Sequence, residues 1–116
     1  MAKKSLIKAR IRKILLEEFK SRKLSLDLVV LFGSYARDNP GKDSDIDLLI
    51  ISRDFRDKGI FEKVEMVNGI NSKLVHQLKK PLDLLYYSDL EWKRSRSLII
   101  NTAKADGEII HQKSRK

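Results

Sequence analysis

The fold is decided by the stretch from Leu28 to Ile51, which reads LVVLFGSYARDNPGKDSDIDLLII. Its first apolar run ends in Gly33-Ser34, and its second opens with two carboxylates, Asp45 and Asp47. If residues 45–51 form a strand, both carboxylates point to one face, roughly 6 to 7 Å apart. Like charges about 5 Å apart at an effective dielectric near 20 repel by roughly 3 kcal/mol. A divalent cation between them would remove that repulsion. The opposite face would turn three apolar side chains towards a core: Ile46, Leu48 and Ile50.

A third carboxylate stands in a later apolar run, from Pro81 to Tyr87, which predicts another strand. A carboxylate there costs several kcal/mol unless it is paired, hydrated or metal-bound. Taken alone, Asp83 could be a charge that protects an edge strand from aggregation. Taken with the other two aspartates, it indicates a metal site.

The bend between the first two strands predicts a phosphate-binding turn. Gly33 would let the backbone approach a phosphate closely, although it could equally be an ordinary glycine at a strand end. Ser34 could donate to terminal phosphates, cap a helix that begins at Tyr35, or do both. Arg37, one turn later, could reach a triphosphate or remain solvated.

Two other motifs fail on their spacing. Seven residues separate Gly33 from Gly41, and Asp43 stands where a P-loop needs Ser or Thr. An EF-hand beginning at Asp43 would need glycine where Leu48 stands.

The run from Phe32 to Arg37, followed by Ser-Asp-Ile-Asp-Leu from Ser44 to Leu48, resembles the signature of the nucleotidyltransferase superfamily that includes DNA polymerase beta. It is most similar to the minimal nucleotidyltransferases of prokaryotes. That family expects a third carboxylate on a later strand, which Asp83 supplies. One departure is Asp38, where the family often has glycine, and it makes the phosphate side of the pocket more acidic.

The resemblance implies Mg²⁺-dependent transfer of a nucleoside monophosphate, AMP from ATP, to a hydroxyl. Two Mg²⁺ ions would be held by Asp45, Asp47 and Asp83, which are also the expected catalytic residues. The triphosphate would be held by Gly33, Ser34 and Arg37. The resemblance further implies an antitoxin, paired with a helical HEPN ribonuclease that it neutralises by binding or by adenylylating a tyrosine.

Three alternatives stay open. The chain could be a catalytically inert antitoxin that only binds its partner. It could also be an RNA-directed nucleotidyltransferase or an RNA-binding module, because 25 Lys and Arg against 16 Asp and Glu give a net charge of +9. The same charge could instead serve an acidic partner or reflect thermal adaptation. A small-molecule modifier ranks last, because 116 residues leave no room for an added helical domain.

The remaining patterns predict an α+β fold with alternating helices and strands, in which helices flank a small mixed sheet of three to four strands. We expect one domain over residues 1–116, with a flexible basic tail at 112–116. Basic residues interrupt every apolar stretch of residues 1–16, so no secretory h-region is present, and no apolar run is long enough to span a bilayer; we therefore expect a soluble cytoplasmic protein. The chain has no cysteine, which excludes disulfides and a thiolate zinc site. His76 and His111 are predicted to be surface residues. The predicted elements are a helix from Ser5 to Lys20, a strand from Leu26 to Phe32, a helix from Gly59 to Leu78 weakened at Asn68-Gly69, a helix from a Ser88–Glu91 capping box to Ala105, and a possible strand from Glu108 to His111.

Overall fold

The computed structural model describes residues 2–33, 46–94 and 97–114. Five α-helices and four β-strands occur in these ranges, with a short 3₁₀ turn at Arg53–Phe55. In chain order they are α1 (Ala2–Ser21), β1 (Leu28–Phe32), β2 (Ile46–Ile51), α2 (Ile60–Met66), α3 (Ile70–Leu78), β3 (Leu82–Tyr87), α4 (Asp89–Arg94), α5 (Leu98–Asp106) and β4 (Glu108–Gln112). No helix within these ranges has the length and hydropathy needed to cross a bilayer.

The strands form one mixed sheet in the order β3-β2-β1-β4. β1 runs antiparallel to β2 and β4, and β2 runs parallel to β3. The two central strands are those of the 28–51 stretch, because their apolar side chains can be buried on both faces. The predicted α+β class with a small mixed sheet is therefore confirmed.

The larger core lies on one face of the sheet, between the sheet and helices α1 and α3. Ile46, Leu48 and Ile50 are fully buried there, as the alternation of β2 predicts. The apolar face of α1 packs in the same core through Ile11, Ile14, Leu15 and Phe19. Burial of each such side chain contributes about 1.5 to 3 kcal/mol, so this face supplies most of the hydrophobic stabilisation.

The smaller core lies on the opposite face, beneath α5. Leu49 and Ile51 of β2 pack there with Leu28 and Val30 of β1, and Ile100 and Ala103 of α5 cover them. β2 is therefore apolar on both faces at every position except Asp47, which is half-buried.

The structure corrects the two longest helix predictions. The helix predicted over residues 59–78 is two helices, because Gly69 adopts a left-handed φ of 93° at the junction. The helix predicted from the capping box to Ala105 is also two: Ser88 and Glu91 form the predicted box and begin α4, but Ser97 then caps a separate α5.

The predictions for the two histidines have different outcomes. His76 is exposed, as predicted. His111 is partly buried, because β4 places its Nε2 3.1 Å from the carbonyl oxygen of Leu26, which accepts a hydrogen bond.

Glu18 ties α1 to α3 and gives a pH-dependent contribution to stability. Its carboxylate accepts hydrogen bonds from Lys73 of α3, at 2.6 Å, and from Arg22, and these bonds lower the pKa of Glu18. A lowered folded-state pKa contributes stability above the unfolded value of about 4.3, and that stability is lost as the pH falls through the folded pKa. We expect Glu18→Gln to destabilise the fold by at most about 1 kcal/mol at pH 7.

Thermal unfolding of both proteins at pH 7 and at about pH 3 checks this. The wild type and Glu18→Gln should differ at neutral pH and converge in acid. Equal differences at both pH values would show that the ion pairs contribute nothing.

Candidate active site

Three chain segments meet at one end of the sheet: the end of β1 and the beginnings of β2 and β3. β1 is antiparallel to β2, so Phe32, its last residue, lies opposite Asp47. β3 is parallel to β2, and Asp83, the second residue of β3, is the register partner of Asp47. The two carboxylates therefore leave the sheet on the same face.

The two carboxylates lie at the margin of the smaller core and differ in their exposure to solvent. The next pairs on the same face are Leu49 with Leu85 and Ile51 with Tyr87, and all four belong to or pack against the smaller core. Asp47, at the margin of that core, is half-buried, while Asp83 on the edge strand is exposed. The pair thus combines apolar support on one side with access from solvent on the other.

Gly33 is held against Asp47. Its φ of 76° lies in the left-handed region, where side chains are strained. A Cβ at this position would lie 2.2 Å from Oδ2 of Asp47, which is far inside van der Waals contact. Glycine is therefore required so that the turn after β1 can pass beside the carboxylate.

The structure brings together three of the six residues predicted for the site: Gly33, Asp47 and Asp83. Ser34, Arg37 and Asp45 lie outside the described residues, as does the helix predicted to begin at Tyr35. Within the described ranges, no group of three or more metal-binding side chains occurs. The two aspartates that are described offer carboxylate oxygens on one face, the donor type that Mg²⁺ prefers.

A cavity of about 400 Å³ near Asp83 was not visible in the sequence pattern. It lies between β3 and the junction of α2 with α3, on the face of β3 that carries Leu84 and Tyr86, and Asp83 contributes to its rim. Burial raises the pKa of Tyr86, so its phenol remains protonated at neutral pH. A larger cavity of about 610 Å³ lies around Trp92, but neither Asp47 nor Asp83 lines it.

Comparison with known families gives one match, to the nucleotidyltransferase domain, over residues 9–105. The match includes β1, β2 and β3 and therefore all the residues predicted for the site. Comparison with curated proteins gives no match.

Several solved structures share the fold. A chain of the complex between tri-AMPylated Shewanella oneidensis HEPN toxin and MNT antitoxin has a TM-score of 0.63 at 22% identity, covering 95% of this chain and 73% of that one. A toxin-antitoxin structure with AMP-PNP has a TM-score of 0.61 at 19% identity, with coverage of 87% and 73%. A nucleotidyltransferase-like structure from Sulfolobus solfataricus has a TM-score of 0.54 at 21% identity, with coverage of 91% and 84%.

Proposed function

The chain belongs to the nucleotidyltransferase domain family, and from this premise we propose that it transfers AMP from ATP to a hydroxyl of a partner protein, as the antitoxin of a HEPN-type toxin. The observation that carries the proposal is the in-register pair of Asp47 and Asp83 beside the Gly33 turn. Family membership supports the reaction type. The choice of ATP and of a protein acceptor rests on the likeness to an AMP-PNP complex and to an AMPylated toxin.

In the proposed reaction, the acceptor oxygen forms a bond to the α-phosphorus of ATP while the bond to pyrophosphate breaks. Mg²⁺ held by Asp45, Asp47 and Asp83 would supply the positive charge that stabilises the phosphoryl oxygens. Asp83, the exposed member of the pair, is open to the acceptor and takes up the proton of its hydroxyl. Asp47 would hold Mg²⁺ on the phosphate side of the site, because its carboxylate lies beside Gly33.

Gly33, Ser34 and Arg37 would form the phosphate side of the site. Gly33 leaves no side chain over the carboxylate, so a triphosphate can approach the backbone there. Ser34 and Arg37 follow within four residues in the sequence and would bind the β- and γ-phosphates. Pyrophosphate is then the departing group.

A protein acceptor agrees with the charge of the chain. Its net charge of +9 would attract an acidic partner. The family resemblance to complexes of a toxin with its antitoxin supports a HEPN-type partner.

The proposal is tested by incubating the chain with α-labelled ATP, Mg²⁺ and the HEPN-type protein encoded beside its gene. We expect the label on that protein, with release of pyrophosphate. A tight complex without label would indicate an inert antitoxin, and label on added RNA would indicate an RNA-directed enzyme.

A further inference from the structure

A groove lies between helix α1 and strand β4. A cavity of about 250 Å³ separates the first half of α1 from the beginning of β4, and one of about 340 Å³ separates the second half of α1 from the end of β4. The two cavities therefore lie one after the other along both elements, and we call them together the α1–β4 groove. Because β4 is an edge strand of the sheet in the described part of the chain, the groove opens to solvent.

The larger cavity of the groove has an apolar floor. Phe19 and Leu26 line it and are buried, and Leu24 lines it and is half-buried. Leu16 also lines this cavity, and its large apolar side chain is 38% exposed. Apolar side chains gathered in one cavity of a highly charged surface offer a seat for an apolar side chain of a second molecule.

The rim of the groove is positively charged. Arg12 lines the smaller cavity, and Lys20 and Lys113 line the larger one. None of these three cations forms an ion pair with a residue in the described ranges. Among the same residues, the one carboxylate that lines either cavity is Glu108, and it is paired with Lys8. The rim therefore attracts the carboxylates of a partner.

The floor of the groove suits a protein segment better than RNA. Proteins that bind single-stranded RNA stack its bases on exposed aromatic rings. The two rings that the described residues place in the groove are withdrawn: Phe19 is 1% exposed, and the His111 ring points to the carbonyl oxygen of Leu26. A segment that carries carboxylates next to an aliphatic side chain matches both the rim and the floor.

We propose that the α1–β4 groove docks an acidic segment of the partner protein, with an apolar side chain on Leu16 and carboxylates beside Arg12, Lys20 and Lys113. The inference rests on the proposed function, because that function supplies the partner. β1 separates β4 from β2, and α1 covers the face of the sheet opposite to Asp47. The groove therefore contributes to the affinity for the partner and leaves the nucleotide site open.

The test is isothermal titration calorimetry, without nucleotide, of full-length variants against the HEPN-type protein encoded beside the gene. Arg12→Glu should weaken the complex at least about 10-fold at low salt, because the reversed charge repels the carboxylates of the segment. Leu16→Ser, which removes the apolar seat but no charge, should weaken it at least about 3-fold.

Arg10→Glu is the matched control for Arg12→Glu. Arg10 is exposed on the same helix and lines neither cavity, and two residues turn an α-helix by about 200°. This control should bind the partner like the wild type. Circular dichroism should give both charge variants a wild-type melting temperature.

The outcomes separate this inference from the proposed function. Weaker binding by Arg12→Glu and Leu16→Ser, with no AMP transfer by any protein, would remove the transferase and retain the groove. A wild-type kcat with a raised KM for the partner in Arg12→Glu would support both. The groove alone would be overturned if either variant bound like the wild type, if Arg10→Glu lost as much affinity as Arg12→Glu, or if no complex formed. Loss of single-stranded RNA binding in Arg12→Glu, in place of partner binding, would also overturn it.

Discussion

Asp47→Asn is expected to reduce AMP transfer by about 100-fold or more. The amide has nearly the volume of the carboxylate, so β2 should still pair with β1 and β3. It lacks the negative charge that holds a divalent cation, and the loss of one group that stabilises phosphoryl charge costs about two to three orders of magnitude in rate. The measurement is the initial rate of partner labelling from α-labelled ATP.

The matched control is Asp57→Asn, which removes the same charge beyond the other end of β2. Asp57 is exposed and has a φ of 58°, a conformation that asparagine tolerates. This variant should label its partner at the wild-type rate. Comparable loss in both variants would mean that net charge, not the position of Asp47, governs the reaction.

Gly33→Ala is expected to impair both stability and nucleotide binding. The left-handed φ of 76° costs about 1 to 2 kcal/mol for a residue with a side chain. The new Cβ would also meet Oδ2 of Asp47 at 2.2 Å, so either the turn or the carboxylate must move. Chemical denaturation measures the first effect, and titration with a non-hydrolysable ATP analogue and Mg²⁺ measures the second, for which we expect at least about a 10-fold loss of affinity.

Gly69→Ala is the control that separates the effect of backbone strain from the effect of the contact between a new Cβ and Asp47. Gly69 also has a left-handed φ, 93°, but its Cβ would lie 3.6 Å from Nη2 of Arg22, an ordinary contact. This variant should lose similar stability and keep the affinity for nucleotide. If Gly33→Ala also kept that affinity, the close approach to Asp47 would have no role in the site.

Much of the sheet could be predicted because local alternation determines it. Ile46, Leu48 and Ile50 are buried in the larger core. Because side chains alternate along a strand, Asp47 must lie on the opposite face of the sheet. The same alternation places Asp83 on the opposite face of β3 from Leu82 and Leu84. The register that makes Asp47 and Asp83 partners was not visible in the pattern, because register between parallel strands is set by the crossover through α2 and α3.

The helices were predicted less well for a physical reason. Ile60, Phe61 and Val64 follow the same spacing as the buried stripe of α3, and periodicity cannot distinguish an apolar face that meets a core from one that meets water. The separation of α4 from α5 depends on Ser97, which has an extended conformation (ψ 140°) and whose hydroxyl accepts a hydrogen bond from the Ile100 N–H. The exposure of these three side chains on α2 is therefore visible only in the folded structure.

If Asp47 and Asp83 form a Mg²⁺-dependent nucleotide site, the melting temperature should rise during Mg²⁺ titration at a fixed concentration of the non-hydrolysable ATP analogue. At a hundred times Kd, ligand binding adds about 2.7 kcal/mol to the free energy of unfolding. We predict a rise of several degrees for the wild type and none for Asp83→Asn. Identical curves for the two proteins would show that Asp83 takes no part in binding Mg²⁺ and nucleotide.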